Sequence, residues 1–301
     1  MSNDHRSVEP PWTILKTLQW TAGFFKQRGI ESPRPAAEIL LAHTLKCDRI
    51  DLYLNHDQPL HSQELARFKQ LIQRRIQREP VAYIIGIKEF WSLDFKVTPD
   101  VLIPRPETEG LVEAALRHLS GDEIQVLELG CGSGAISVAL AHERPNWSYQ
   151  ALDISEKAIG IARSNAQMHL PKDSIGFMVG HWFNAIGYEK VGYDLIVSNP
   201  PYISMDQLPV LEAEIRRYEP LKALDGGRDG LTSITHIVKN APRYLKPGGM
   251  LLLEIGHDQG AEVAALGRET GAYDHVFVEK DFAGHDRIAR FEKTNRMLNI
   301  D

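Results

Sequence analysis

The chain of 301 residues is 43% hydrophobic and 25% charged, the make-up of a globular protein with enough material for two domains and a sizeable core. A net charge of -6 and a pI near 6.1 argue against general attraction to nucleic acid, so no direct nucleic-acid partner is expected. The two cysteines, Cys47 and Cys131, stand far apart without metal-ligand spacing, which suits a reduced cytoplasmic protein with no bound metal. The polar start from Ser2 to Arg6 has no signal-peptide core, and no apolar run nears the roughly 20 residues of a membrane span, so no membrane partner is expected.

Residues 1–80 read as a small helical domain. Ile14, Leu15, Leu18 and Ala22 recur at helical spacing, with Gly29 as a stop, and Ser32 ahead of Pro33 restarts a helix through Leu45. A third helix starts near Ser62 and puts Leu65, Phe68, Leu71, Ile72 and Ile76 on one face. Its other face carries Arg67, Lys69, Arg74, Arg75 and Arg78. That face is either simply solvated or a docking surface for a partner that is acidic or carries RNA.

Residues 81–104 change period. Tyr83 to Ile87, then Phe90, Trp91, Leu93, Phe95 and Val97, suggest a β-hairpin linker interrupted at Lys88-Glu89. The stiff turn Pro104-Arg105-Pro106 is either an inter-domain strap or one wall of a ligand site, and it enters a helix from Gly110 to Leu119.

Residues 105–301 alternate strand and helix, with apolar runs at Val126–Leu129, Tyr149–Leu152, Ile175–Val179, Tyr193–Val197 and Met250–Ile255. The pattern predicts an α/β fold, a doubly wound and mostly parallel sheet that binds ligands at the carboxyl ends of its strands. Glu128 closes the first run, and Gly130, Cys131, Gly132, Ser133 and Gly134 follow it into a helix. G-x-G-x-G differs from the dinucleotide spacing, and Glu128 would repel phosphate and attract a cation. A phosphate-free nucleoside bearing an ammonium group, such as S-adenosylmethionine, fits better. Asp153 ends the next strand about 20 residues on, placed to accept hydrogen bonds from ribose hydroxyls, while Ser155 can cap the following helix.

The fourth of these runs empties into Ser198-Asn199-Pro200-Pro201-Tyr202. Two prolines stiffen the loop, so its acceptors point in fixed directions. Asn199 offers a side-chain carbonyl, Pro200 a backbone carbonyl and Tyr202 a flat ring, a set suited to a planar group bearing NH2. A tight structural turn is the plain alternative. In a doubly wound sheet this strand falls beside the glycine-rich one, across the switch point, where a methyl donor and a planar amine can meet.

With these motifs, and with Leu102–Glu109, Tyr218-Glu219-Pro220, Ala223–Leu231 and Asp281–Arg287, the chain resembles the bacterial release factor glutamine methyltransferases, HemK-type class I enzymes. The resemblance implies a class I S-adenosylmethionine-dependent methyltransferase fold behind a helical substrate-recognition domain. It implies methylation of the amide nitrogen of the glutamine in the Gly-Gly-Gln loop of class 1 peptide-chain release factors, with S-adenosylhomocysteine as product. Gly130, Gly132 and Gly134 should pass the methionine part of the cofactor, Asp153 should hold the ribose and Trp182 should flank the adenine. Asn199 and the Pro200 carbonyl should hold the target amide, with Pro201 and Tyr202 beside it. His181 stands where the family often has an acidic residue, which leaves the adenine amine to His181 or to a backbone group near Trp182. Two rivals remain open at this stage: an adenine-N6 nucleic-acid methyltransferase, which shares the Asn-Pro-Pro-Tyr motif, and a non-catalytic scaffold that binds a translation factor.

Overall fold

A computed structural model describes residues 12–187 and 192–295; the polar start at Ser2 to Arg6 lies outside the described residues. The contacts divide the chain into two compact units, residues 1–85 and residues 86–301.

The first unit is helical: α1 (Ile14–Gln27), α2 (Pro33–Leu45), α3 (Asp51–Leu54), α4 (Ser62–Ile76) and α5 (Val81–Ile85). The expected apolar faces converge, with Leu18, Phe25, Leu40, Leu41, Phe68 and Ile72 in one buried cluster. Two expectations need correction here. Residues 81–85, expected to open a hairpin, form α5, whose Ile84 joins that helical core. The basic stretch on α4 is largely internal wiring. Arg75 is buried, and its Nη1 donates to the carbonyl of Glu79 (3.2 Å). Arg74 pairs with Glu79 (2.5 Å), and Arg78 donates to the carbonyls of Gly29 (2.8 Å) and Arg28 (3.1 Å). Guanidinium forks suit this task because they satisfy helix-end carbonyls that would otherwise lack donors.

The second unit opens with a short hairpin, β1 (Ile87–Phe90) and β2 (Leu93–Lys96). Lys88 and Glu89 lie within β1, and the chain reverses at Trp91-Ser92, both left-handed at φ 53° and 58°. A two-residue turn with both central residues at positive φ matches the natural twist of a hairpin. The hairpin is also more than a linker. Asn165 accepts from the Lys96 N–H (2.8 Å) and donates to the carbonyl of Ser133 (2.8 Å), which ties it to the glycine-rich turn.

The remaining elements are α6 (Glu109–His118), β3 (Gln125–Leu129), α7 (Ala135–Glu143), β4 (Ser148–Asp153), α8 (Glu156–His169), β5 (Ile175–Val179) and β6 (Tyr193–Ser198), then α9 (Ala213–Tyr218), α10 (Thr232–Asn240), β7 (Leu245–Glu254), α11 (Gly260–Glu269), β8 (Tyr273–Lys280) and β9 (Asp286–Lys293). The larger sheet runs β5-β4-β3-β6-β7-β9-β8; β3 to β7 are parallel, and β9 lies antiparallel to both of its neighbours. Alternate residues of the central strands feed two cores. Val126, Leu195, Val197 and Leu252 meet the core that includes Val112, Val138 and Ile159, while Leu127, Ile196, Leu251 and Leu253 meet Ile234, Ile237 and Val263. The order reverses between β3 and β6, which are direct neighbours with Leu129 opposite Ser198. The doubly wound expectation holds, and both motif-bearing loops leave this one switch point. No helix among the described residues is long and apolar enough to cross a membrane.

Candidate active site

The glycine-rich turn is held by its own backbone. The N–H groups of Gly130 and Cys131 both donate to the carbonyl of Leu152 (2.8 and 2.9 Å), which anchors the loop after β3 to the end of β4. Asp153 secures the apex: one carboxylate oxygen accepts from the Gly132 N–H (2.9 Å), the other from the Ser155 N–H (2.8 Å). Burial pushes the Asp153 carboxyl up, and those two N–H donors oppose the shift. Ser155 caps α8 through Ala158 N–H (3.2 Å), so the cap leaves Asp153 facing the cavity beside the turn.

Gly132 sits at φ 53° with nothing within 4 Å of where a Cβ would stand, so a ligand can approach its backbone closely. Gly134 differs from expectation. A Cβ there would lie 3.0 Å from that of Ala162, so this glycine lets α7 pack on α8 and does not line the cavity.

The loops enclose a cavity of about 670 Å³. Glu128, Gly130 to Ser133 and Asp153 form its floor, with His181 and Trp182 at one side. Residues 99–102, Pro104, Arg105 and Thr108 form a wall, so the proline-bracketed turn borders the site. Arg105 fastens that wall by pairing with Glu219 (2.5 Å), whose other oxygen accepts from the Ile103 N–H (3.3 Å). Asn199 and Pro201 face the cavity from the end of β6, while Pro200 is buried and Tyr202 sits behind. Glu128 is only 1% exposed and accepts from the N–H (3.0 Å) and hydroxyl of Ser137. Burial pushes its carboxyl up to about 8, against those bonds and with the Asp153 charge adding to the rise. Burial thus favours its protonated form and the Ser137 bonds its charged form, so a cation in the cavity would draw Glu128 toward the carboxylate. Burial likewise raises the Cys131 thiol, which suits a packed side chain more than a nucleophile.

Three residues that the motifs alone did not single out complete the Asn199 end. Asn199 Nδ2 donates to Thr108 Oγ1 (3.1 Å), and the Thr108 hydroxyl donates to Glu254 Oε2 (2.6 Å). The Tyr202 hydroxyl donates to Glu254 Oε1 (3.1 Å), and Gln259 Nε2 donates to the Tyr202 carbonyl (3.0 Å). Glu254 closes an apolar parallel strand, as Glu128 nearly does and Asp153 does. That shared pattern was the available signal. Behind the loop, Gly230 at φ 76° comes so near that a Cβ would stand 2.3 Å from the Tyr202 carbonyl, which accounts for the glycine-rich segment 226–230.

The donor set fits S-adenosylmethionine. The cavity lies in the usual range for small-ligand pockets, Gly132 leaves open space, Asp153 is an acceptor pair, and Trp182 provides an aromatic flank. A model described as PrmC N-terminal domain matches residues 16–86, and one described as Methyltransferase domain matches residues 120–286. The release factor glutamine methyltransferase of Geobacter sulfurreducens is 45% identical over 277 residues, covering 92% of this chain and 95% of that protein. The one from Coxiella burnetii is 44% identical over 260 residues, covering 86% and 91%. A methyltransferase structure from Pyrococcus furiosus matches with a TM-score of 0.51 at 20% identity, over 74% of this chain and 97% of that one, a likeness of fold.

Proposed function

Since this chain belongs to the release factor glutamine methyltransferase family, we propose that its cavity brings the methyl of S-adenosylmethionine to the amide nitrogen of the glutamine in the Gly-Gly-Gln loop of a class 1 peptide-chain release factor. The chain is an S-adenosylmethionine-dependent protein glutamine methyltransferase, and that membership sets aside the nucleic-acid and scaffold rivals. The observation that carries the site assignment is the adjacency of β3 and β6, which opens Asn199 and the glycine-rich turn onto one cavity.

When bound, S-adenosylmethionine supplies an electrophilic methyl on sulfur and departs as S-adenosylhomocysteine. Asp153 accepts from the ribose hydroxyls while it braces Gly132. Trp182 flanks the adenine, whose amine is met by His181 or by a backbone group beside it. Glu128 faces the methionine ammonium, whose positive charge favours the ionised carboxylate.

A carboxamide nitrogen is a poor nucleophile because its lone pair is delocalised into the carbonyl. Asn199 Oδ1 and the Pro200 carbonyl accept from the substrate NH2, hold the amide plane, and aim the nitrogen along the line of transfer. Tyr202 and Pro201 back that corner. Positioning of this kind is worth several kcal/mol, up to roughly 7–11 in model reactions. The proton leaves the nitrogen to solvent once the methyl is in place. The helical unit of residues 1–85 supplies contact area for the body of the release factor, since a single loop offers little surface for specificity. Its two unpaired cysteines support placing the enzyme in the cytoplasm.

The test is mass analysis of a release factor after incubation with the enzyme and labelled S-adenosylmethionine, with DNA as a parallel acceptor. One methyl on the Gly-Gly-Gln glutamine and none on DNA is the expected result. Label in DNA alone, or none in either, overturns the reading.

A further inference from the structure

We propose that Thr108 and Glu254 are positioning residues that fix which end of the Asn199 amide meets the substrate. The inference rests on the reading of Asn199 as the group that holds the target amide, and concerns how it is held.

The two ends of an asparagine amide are nearly the same size, so packing cannot choose between them; only the polarity of a hydrogen-bond partner can. Here the choice is made two residues away. Both oxygens of Glu254 accept from hydroxyl groups, and Oε2 takes the single proton of the Thr108 hydroxyl at 2.6 Å. Thr108 Oγ1 then has only lone pairs to offer Asn199, and it faces Nδ2 at 3.1 Å. Because the amide is planar, Oδ1 is turned to the other side, the acceptor a substrate NH2 requires. With the amide reversed, two NH2 groups would confront each other.

Each link is secured independently. Thr108 and Glu254 are 5% and 1% exposed, so water does not compete for these bonds. The Tyr202 hydroxyl donates to the second oxygen of Glu254 (3.1 Å), which keeps both oxygens in the accepting role. Burial pushes the Glu254 carboxyl up, and the hydroxyl of Thr108, the positive charge of Arg287 and the hydroxyl of Tyr202 all oppose that rise. Thr108 follows the proline-bracketed turn, where its N–H donates to the Arg105 carbonyl (3.1 Å) and Arg105 is paired to Glu219. Glu254 ends a strand in the middle of the sheet. The relay therefore joins two rigid elements and reaches the site through Asn199 and through Tyr202, which backs the same corner.

The experiment uses the full chain, a release factor and S-adenosylmethionine, with Thr108→Val, Thr108→Ser and Glu254→Gln. Thr108→Val keeps the shape and removes the hydroxyl. Glu254→Gln adds a donor that lets the relay run backwards. Both are expected to lower kcat by roughly ten- to a hundredfold, the usual effect of losing an orienting partner. Cofactor Kd should stay within about twofold, and the double variant should be little worse than either single one. Thr108→Ser should retain near-normal kcat. Full kcat in Thr108→Val, failure of Thr108→Ser to retain activity, or a parallel loss of cofactor binding overturns the relay. Should Thr108→Val not fold, Glu254→Gln carries the same test by the same readouts. A wild type that leaves the release factor glutamine unmethylated sinks the underlying reading instead, whereas a methylating wild type with a fully active Thr108→Val sinks the relay alone.

Discussion

At the glycine end of the cavity the fixed contacts run through backbone: two N–H groups on the Leu152 carbonyl and a third on Asp153. At the Asn199 end they run side chain to side chain, from Asn199 through Thr108 to Glu254 and Tyr202. A backbone cradle is permissive toward side-chain chemistry and intolerant of added bulk at Gly132. A side-chain relay is the reverse: shape can be kept while one lost proton undoes it. The first arrangement suits holding a ligand that is the same in every turnover. The second suits presenting one acceptor with one polarity to a reacting nitrogen.

The sharpest way to break this contrast is Asn199→Ala, expected to lower methyl transfer about a hundred- to a thousandfold, the scale of losing one group aimed at a reacting centre. Calorimetric affinity for S-adenosylmethionine should be nearly unchanged. A shared loss would mean the two ends are one unit. Asp153→Ala should do the opposite, weakening cofactor binding by about 1.5–3 kcal/mol for lost charge-assisted hydrogen bonds, while kcat at saturating cofactor is largely preserved.

A third test concerns Glu128 in the ligand-free protein. Its folded carboxyl keeps a proton up to about pH 8, whereas the unfolded chain loses it near 4.5. Over that window the unfolded state binds fewer protons, so stability falls as pH rises. Melting temperatures should show the wild type losing ground to Glu128→Gln from about pH 5 to about pH 8, by a few kcal/mol at most. A flat difference would mean that Glu128 is already ionised. The smallest effect serves as a control away from both ends: Arg78→Ala should cost the helical unit about 1 kcal/mol for its lost bonds to Gly29 and Arg28 and leave methylation of a short glutamine peptide unchanged.

Much of the architecture was legible because buried parallel strands are written as plain apolar runs, and acidic residues at their ends stand out. Glu128 and Asp153 were found that way, and Asn199 by its prolines. The two closing strands, β8 and β9, carry alternating charge, as in Asp274, His275, Glu279, Arg290 and Glu292, and are half exposed, so no run marked them. The relay was illegible for a different reason. Thr108 and Glu254 become partners only when β7 docks beside β6, and nothing local to either residue signals the other. The basic α4 misled because guanidinium groups that cap carbonyls within a helical unit look the same in sequence as guanidinium groups that await a partner.

Thr108 and Glu254 are 146 positions apart, while the strands that carry the glycine turn, Asp153 and Asn199 all precede β7. During synthesis, then, the strands of the nucleoside cradle leave the ribosome before the strand bearing Glu254, since elements emerge in order at about 5–20 residues per second. Until β7 threads in beside β6, the amide at 199 has no enforced polarity. An emerging chain therefore carries every residue of the donor cradle before it carries the one that turns the acceptor amide.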